Sequence, residues 1–213
     1  MTRPMIRNSV SDRLSAGINV FFNLSVKDKN HLKEYIQAEI KVIRESHLKQ
    51  MPPGFSLSRK LYRAFSIDPT KYRPSSEALW RRIKKGLEFP FVNPIVDLTN
   101  LLSLKYQVSY GLYDLDKIEG DIEITRGGEG ESYQGIRKDI INLNGRILLK
   151  DGLGPFGNPS SDSLRTCTSD ETTHVLQVIF FHKDDLLKET ILSETHIRYS
   201  DFFEMSDSHS TIV

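Results

Sequence analysis

A chain of 213 residues with a net charge of +1 is long enough for one sizeable domain, and its single cysteine, Cys167, excludes an internal disulfide. No apolar run of about 18 residues occurs, which excludes a membrane-spanning helix, and residues 1–13 lack an apolar export core, so a reducing, cytoplasmic setting is expected. The near-neutral total hides an asymmetry: residues 1–90 hold 18 Lys and Arg against 8 Asp and Glu, and residues 91–213 hold 11 against 20, which suits either a basic face for a polyanion or two halves attracted across one core.

Leu32, Tyr35, Ile36, Ile40 and Ile43 recur at helical spacing and predict an amphipathic helix over residues 29–48, with Asp28 or Asn30 as its cap. Met51-Pro52-Pro53-Gly54 stops it, and a second short helix is expected over residues 56–65, burying Leu57, Leu61, Ala64 and Phe65. Pro69 and Pro74 then hold the chain extended or turned. Ser75 and Glu77 read as the cap and first turn of a third helix, residues 76–86, with Leu79, Ile83 and Leu87 inward and Arg81, Arg82, Lys84 and Lys85 outward. Gly86 is its expected end. Cations crowded into a last turn suit either a solvated face that compensates the helix dipole or contact with phosphates.

Asn93-Pro94 forms an N-cap followed by proline at the first helical position. Apolar residues from Ile95 to Leu104 cover nearly the whole circumference, so this helix is expected to be central. Asn100 within it must find partners, either by tying down a loop or by facing a pocket. Beyond it the period shifts to two. Residues 120–125 alternate as a strand, Gly127-Gly128-Glu129-Gly130 reads as a turn, and residues 129–133 lead into another strand. Residues 140–149 carry Asn144-Gly145 between apolar runs and predict a hairpin. Residues 174–181 read as a strand buried on both faces. The final stretch, residues 201–213, shows no period and is expected to fray.

Between the hairpin and that strand, residues 154–166 read GPFGNPSSDSLRT. Gly and Pro fix the path of this loop while its hydroxyls, Asp162 and Arg165 supply donors and acceptors, so it is either a binding loop or a surface loop bonded to itself. Standard catalytic signatures are missing. The histidines are scattered at 31, 47, 174, 182, 196 and 209 without metal-ligand spacing, and neither a GxSxG elbow nor a GxxxxGK[ST] loop occurs. No metal and no cofactor are expected.

Residues 93–121, NPIVDLTNLLSLKYQVSYGLYDLDKIEGD, resemble the matching run of the B3/B4 editing domain in the β subunit of bacterial phenylalanyl-tRNA synthetase. DPTKYRPSSEALWRRI before it and the PFGNPSSDSLRT loop after it resemble stand-alone relatives of that domain. The resemblance extends over about residues 65–182. It implies an α+β fold with a β-sandwich-like core and helices packed around it. The expected division is an N-terminal helical segment (1–66), the core (67–183) and a C-terminal segment (184–213), or one domain throughout. The implied activity is hydrolysis of the ester that joins a wrong amino acid to the tRNA 3′ end.

Thr99 and Asn100 fall on the family's Thr-Asn pair, whereas its pocket histidine and its late acidic residue fall on Gly111 and Gln177, which implies a side chain other than tyrosine in the pocket. The expected catalytic set is Asn100, Thr99, Ser161 and Ser163. The expected substrate-binding set is Gly111, Tyr113, Phe156, Gly157, Asn158, Ser160, Asp162, Thr166 and Gln177. Lys71, Arg73, Arg81, Arg82, Lys84, Lys85 and Arg165 are the expected RNA contacts. The partners are then the tRNA acceptor end and the amino-acid moiety, with no membrane and no DNA. The alternative is a non-catalytic module that binds an amino acid or small metabolite in the same pocket.

Overall fold

The structure, a computed structural model, describes residues 3–47, 51–136 and 139–213. In chain order the elements are β1 Ile6–Asn8, β2 Leu14–Phe22, β3 Ser25–Val26, α1 Lys29–His47, α2 Phe55–Ala64, α3 Ser75–Lys84, α4 Pro94–Tyr106, β4 Ser109–Asp114, a 3-10 turn Leu115–Lys117, β5 Ile122–Arg126, β6 Ser132–Gln134, β7 Ile140–Asn142, β8 Ile147–Asp151, β9 Gly154–Gly157, β10 Val175–His182, α5 Lys188–Phe202, β11 Phe203–Glu204 and β12 Asp207–Ile212. Residue 48, the last of the first predicted helix, lies outside the described residues.

The apolar run of β10 seats it inside an antiparallel sheet ordered β12-β2-β10-β4, with all eight of its residues buried. A second sheet, β1-β5-β8-β9, packs against one face of the first. Strand alternation assigns the two faces. Even-numbered residues of β2 and β10 (Ile18, Val20, Leu176, Val178, Phe180) meet Ile122, Ile124, Ile147, Leu149 and Phe156 of the second sheet. Odd-numbered ones (Phe21, Val175, Ile179, Phe181) meet residues of α1, α4 and α5. The result is an α+β sandwich with helices over the outer face of one sheet.

Helices α1, α2, α3 and α4 fall close to the predicted spans. Asp28 caps α1, accepting from the backbone N–H groups of Asn30 (2.8 Å) and His31 (3.1 Å). Asn93 caps α4, accepting from Val96 N–H at 3.0 Å, with Pro94 at its first position. Gly86, at φ +76°, follows the end of α3.

Several expectations are corrected. The inward face of α3 is Ser76, Glu77, Trp80 and Ile83, whereas Leu87 is 48% exposed; the helix stops at Lys84, so residue 87 falls off the apolar stripe. Pro74 rather than Ser75 is the N-cap, and Ser75 begins the helix. Asn144-Gly145 does turn the chain, with Gly145 at φ +73°, but the flanking strands do not pair. β7 joins β6, and β8 joins β5 and β9. The Gly145 N–H donates to Gly127 O (2.9 Å), so the turn is pinned to the end of β5 instead of closing a hairpin. Asn100 is only partly buried, and the polar residues enclosed in α4 are Asp97, Thr99 and Ser103. The final stretch does not fray: α5 reaches Phe202 and β12 pairs with β2 from Asp207 to Ile212. Residues 1–66 are not wholly helical, because β2 lies between β12 and β10.

Candidate functional site

The central sheet divides the expected site residues into two groups, because adjacent positions on β4 and β10 point to opposite faces. On the helical face lies a closed polar network. Gln177 donates to Thr99 Oγ1 (3.2 Å) and accepts from Asn19 Nδ2 (3.0 Å). Thr99 also donates to Ile95 O (2.9 Å) and shares a hydrogen bond with the Tyr199 hydroxyl. Ser210 on β12 donates to Asn19 Oδ1 and meets His196 Nδ1 at 2.9 Å. Asn19, Thr99 and Gln177 are buried, so these groups satisfy one another. Asn100, one step around α4, makes no side-chain hydrogen bond among the described residues, and no hydrogen bond of the 157–166 loop reaches it.

On the opposite face the serine-rich loop closes over β4. Tyr113 runs across Gly111 and Gly157: a Cβ at either glycine would lie 2.1 or 2.2 Å from its hydroxyl. That close approach is the physical reason for glycine at 111, where a histidine has no room unless Tyr113 moves. The Tyr113 ring packs edge-on to Phe156 with centroids 4.9 Å apart. Its hydroxyl donates to Asp162 Oδ1 at 2.7 Å. Around them, Asn158 Oδ1 accepts the backbone N–H groups of Ser160 (2.7 Å) and Ser161 (3.1 Å), and its Nδ2 donates to the Tyr133 hydroxyl at 2.6 Å. Tyr133 in turn donates to Ser161 O, and Tyr62 on α2 hydrogen-bonds with Ser160 Oγ at 2.6 Å.

The electrostatics of this group converge on one carboxyl. Burial raises the Asp162 pKa to about 7, against partial offset by the Tyr113 hydroxyl and the backbone of Leu112 and Asn158. Burial also raises the phenol of Tyr113 well above its ordinary value, with the Asp162 charge adding to the shift. Tyr133 and Tyr62 are raised by burial too, and Asp162 raises both further while Arg146 lowers them. A titratable group near neutrality on a polar loop is what acid–base chemistry requires. Ser161 is partly exposed and its hydroxyl has no hydrogen bond among the described residues. Ser163 and Thr166 are buried and bond to each other at 3.2 Å, which ties the loop to Phe156 O.

Most of the expected RNA contacts are engaged within the chain. Glu77, fully buried, receives Arg59 through two bonds (2.7 and 2.8 Å), Arg81 at 2.9 Å and Arg73 at 3.6 Å. Arg165 forms a two-bond pair with Asp151 (3.0 and 2.8 Å) and reaches Lys117 O. Arg82 donates to Glu88 O, and Lys84 lies 5.0 Å over the Trp80 ring. Lys71 and Lys85 are exposed. Among the described residues no group of three or more His, Cys, Asp or Glu is placed to hold a metal ion, and no helix is long and apolar enough to cross a membrane. Sequence reasoning passed over Tyr62, Tyr133 and Arg146; the only local mark on any of them is the Asn-Gly turn before Arg146.

A family model described as the B3/4 domain matches residues 57–204. The phenylalanine–tRNA ligase beta subunit of Bartonella quintana (strain Toulouse) is 38% identical over 53 residues, 25% of this chain and 7% of that subunit. The corresponding subunit of Fusobacterium nucleatum is 26% identical over 137 residues, 63% of this chain and 13% of that subunit. The chain therefore spans a small part of the length of these curated relatives. Among solved structures, an N-terminal fragment of the phenylalanyl-tRNA synthetase beta-subunit from Pyrococcus horikoshii aligns with a TM-score of 0.47 and 13% identity, covering 97% of this chain and 55% of that one.

Proposed function

Because the chain belongs to the B3/4 domain family, we propose that it is a trans-editing hydrolase that deacylates mischarged aminoacyl-tRNA, engaging the 3′ acceptor end. The synthetase subunits it resembles carry tRNA in their names, and that association supports an RNA substrate here. The observation that carries the reading is Asp162: a carboxyl with a pKa near 7, bonded to Tyr113 and beside an unengaged Ser161 hydroxyl. An aminoacyl ester is an activated bond, so a site needs to position water, accept its proton and stabilise the oxyanion.

In this mechanism the ionised Asp162 removes a proton from water as the water oxygen attacks the ester carbonyl. The Ser161 hydroxyl donates to the developing oxyanion. The ribose oxygen leaves and takes up the proton, giving free amino acid and uncharged tRNA. Ser163 holds the wall of the loop, since its hydroxyl is already paired with Thr166, whereas Thr99 and Gln177 are paired on the other face of the sheet and take no step. Asn100 keeps a free amide on the other side of the sheet and is assigned no step.

A panel of mischarged tRNAs tests the reading. At least one should be deacylated above a no-protein control, with kcat/KM rising as pH passes about 7, and Asp162→Asn should lower the rate about 100-fold or more. A non-catalytic amino-acid module is favoured by one feature, Tyr113 filling the space beside Gly111. It predicts amino-acid binding that Asp162→Asn leaves intact and that responds little to salt, with no turnover.

A further inference from the structure

A cleft of about 590 Å³ opens between the end of α2 and the turn joining β7 to β8. Its walls include Phe65, Tyr72, Arg126, Asn142, Asn144 and Arg146. Two features separate these arginines from those paired with Glu77 and Asp151. Arg126 and Arg146 form no ion pair among the described residues, whereas Arg59, Arg73, Arg81 and Arg165 are all committed to carboxylates. Arg126 is held by one bond, from Nε to Gly145 O at 3.2 Å, which leaves its terminal nitrogens open. The Arg146 guanidinium lies 3.9 Å over the Tyr72 ring, and Lys71 lies 5.4 Å from the same ring. The charge of Lys71, followed by Arg146, lowers the Tyr72 pKa, so the mouth of the cleft is electropositive. The single carboxylate on the wall, Asp68, is turned to its own backbone turn, accepting from Thr70 N–H and Oγ1 at 2.8 Å each.

We propose that this cleft seats the phosphodiester-linked nucleotides at the 3′ end of an RNA, with Arg126 and Arg146 on the phosphates and Tyr72 holding the Arg146 guanidinium in place. The substrate class rests on the deacylase reading. The volume suits a ligand of nucleotide size, and exposed Asn142 and Asn144 supply both donors and acceptors for base edges. Open guanidinium groups beside an aromatic ring are the recurring chemistry of single-stranded nucleic-acid sites. Helix α2 links the cleft to the site: Phe65 at its end lines the cleft, and Tyr62, one turn earlier, hydrogen-bonds with Ser160 Oγ.

The test uses deacylated tRNA and the same tRNA lacking its 3′ single strand, with binding read by fluorescence anisotropy against salt. Arg126→Ala/Arg146→Ala should weaken intact tRNA at least tenfold and make the salt slope shallower by about one to two. Wild type and variant should bind the trimmed tRNA equally weakly, and Arg126→Lys/Arg146→Lys should retain part of the affinity. Unchanged binding of intact tRNA by the alanine variant, at an unchanged melting temperature, overturns the proposal. So does an equal loss on trimmed and intact tRNA. Hydrolysis of aminoacyl-adenosine, which lacks phosphates, is the separate reading: its absence in wild type counts against the deacylase and not against the cleft.

Discussion

Tyr113 shows how a single side chain sets both packing and chemistry. Its ring occupies the space that glycines at 111 and 157 leave open, and its hydroxyl ends on Asp162. Gly111→Ala should cost about 1–3 kcal/mol by overpacking, because ring and hydroxyl must both shift; urea denaturation measures this. Asp162 carries a second prediction. Its folded pKa, about 7, lies above the ordinary 3.8, so the unfolded chain releases this proton first. Stability is then full below pH about 4 and declines as pH rises to 7, by an amount on the order of 3–4 kcal/mol. Asp162→Asn should remove that share of the decline and make the protein more stable above pH 7. Asp97, raised to about 6 by burial, keeps its own smaller share. Asp162 was visible in the sequence only as one polar residue among many on a loop; its near-neutral pKa arises from burial and contacts that no local pattern encodes.

Elements whose geometry is decided locally were legible. Asn93-Pro94 fixed the start of α4, Asp28 that of α1, and the apolar run of β10 its place inside the sheet. Elements decided by distant partners were not. β2 alternates poorly because both of its faces are buried, and β12 reads as a polar tail although its Ser208 and Ser210 meet His196 of α5 and Ser210 joins the Asn19 network. The Asn-Gly turn was read correctly as a turn and wrongly as a hairpin, since partner choice for β8 belongs to β5 and β9. On α3, Glu77 is the expected first-turn acid and also the buried centre of an arginine cluster, which no local pattern marks. Burial pulls its pKa up, but the bonds and charges of Arg59 and Arg81 outweigh this and leave it below the ordinary value. Glu77→Ala should cost about 3 kcal/mol by leaving those arginines unpaired. The wild-type contribution, present above pH about 4.5, should be lost as pH falls further. Chemical denaturation at pH 4 and pH 7 checks both.

At the scale of the molecule, the basic front half and acidic back half meet across the fold, in Arg3–Asp207, Arg7–Glu123 and Lys60–Asp184. The cations are unevenly available, because Glu77 engages Arg59, Arg73 and Arg81 while Arg126 and Arg146 form no ion pair among the described residues. Composition alone showed the asymmetry without showing which cations were free. The central sheet likewise separates residues that lie close in sequence terms, placing Thr99 and Gln177 with the helices and Tyr113, Ser161 and Asp162 with the second sheet. The proposed chemistry therefore belongs to the second face. Its most direct test is single-turnover deacylation of a mischarged tRNA panel by wild type and Asp162→Asn from pH 5 to 9. The account predicts ester hydrolysis above the no-protein control that climbs through pH about 7 and falls about 100-fold or more in the variant. Wild type that leaves every ester intact, or a variant that matches it at all pH values, contradicts the account.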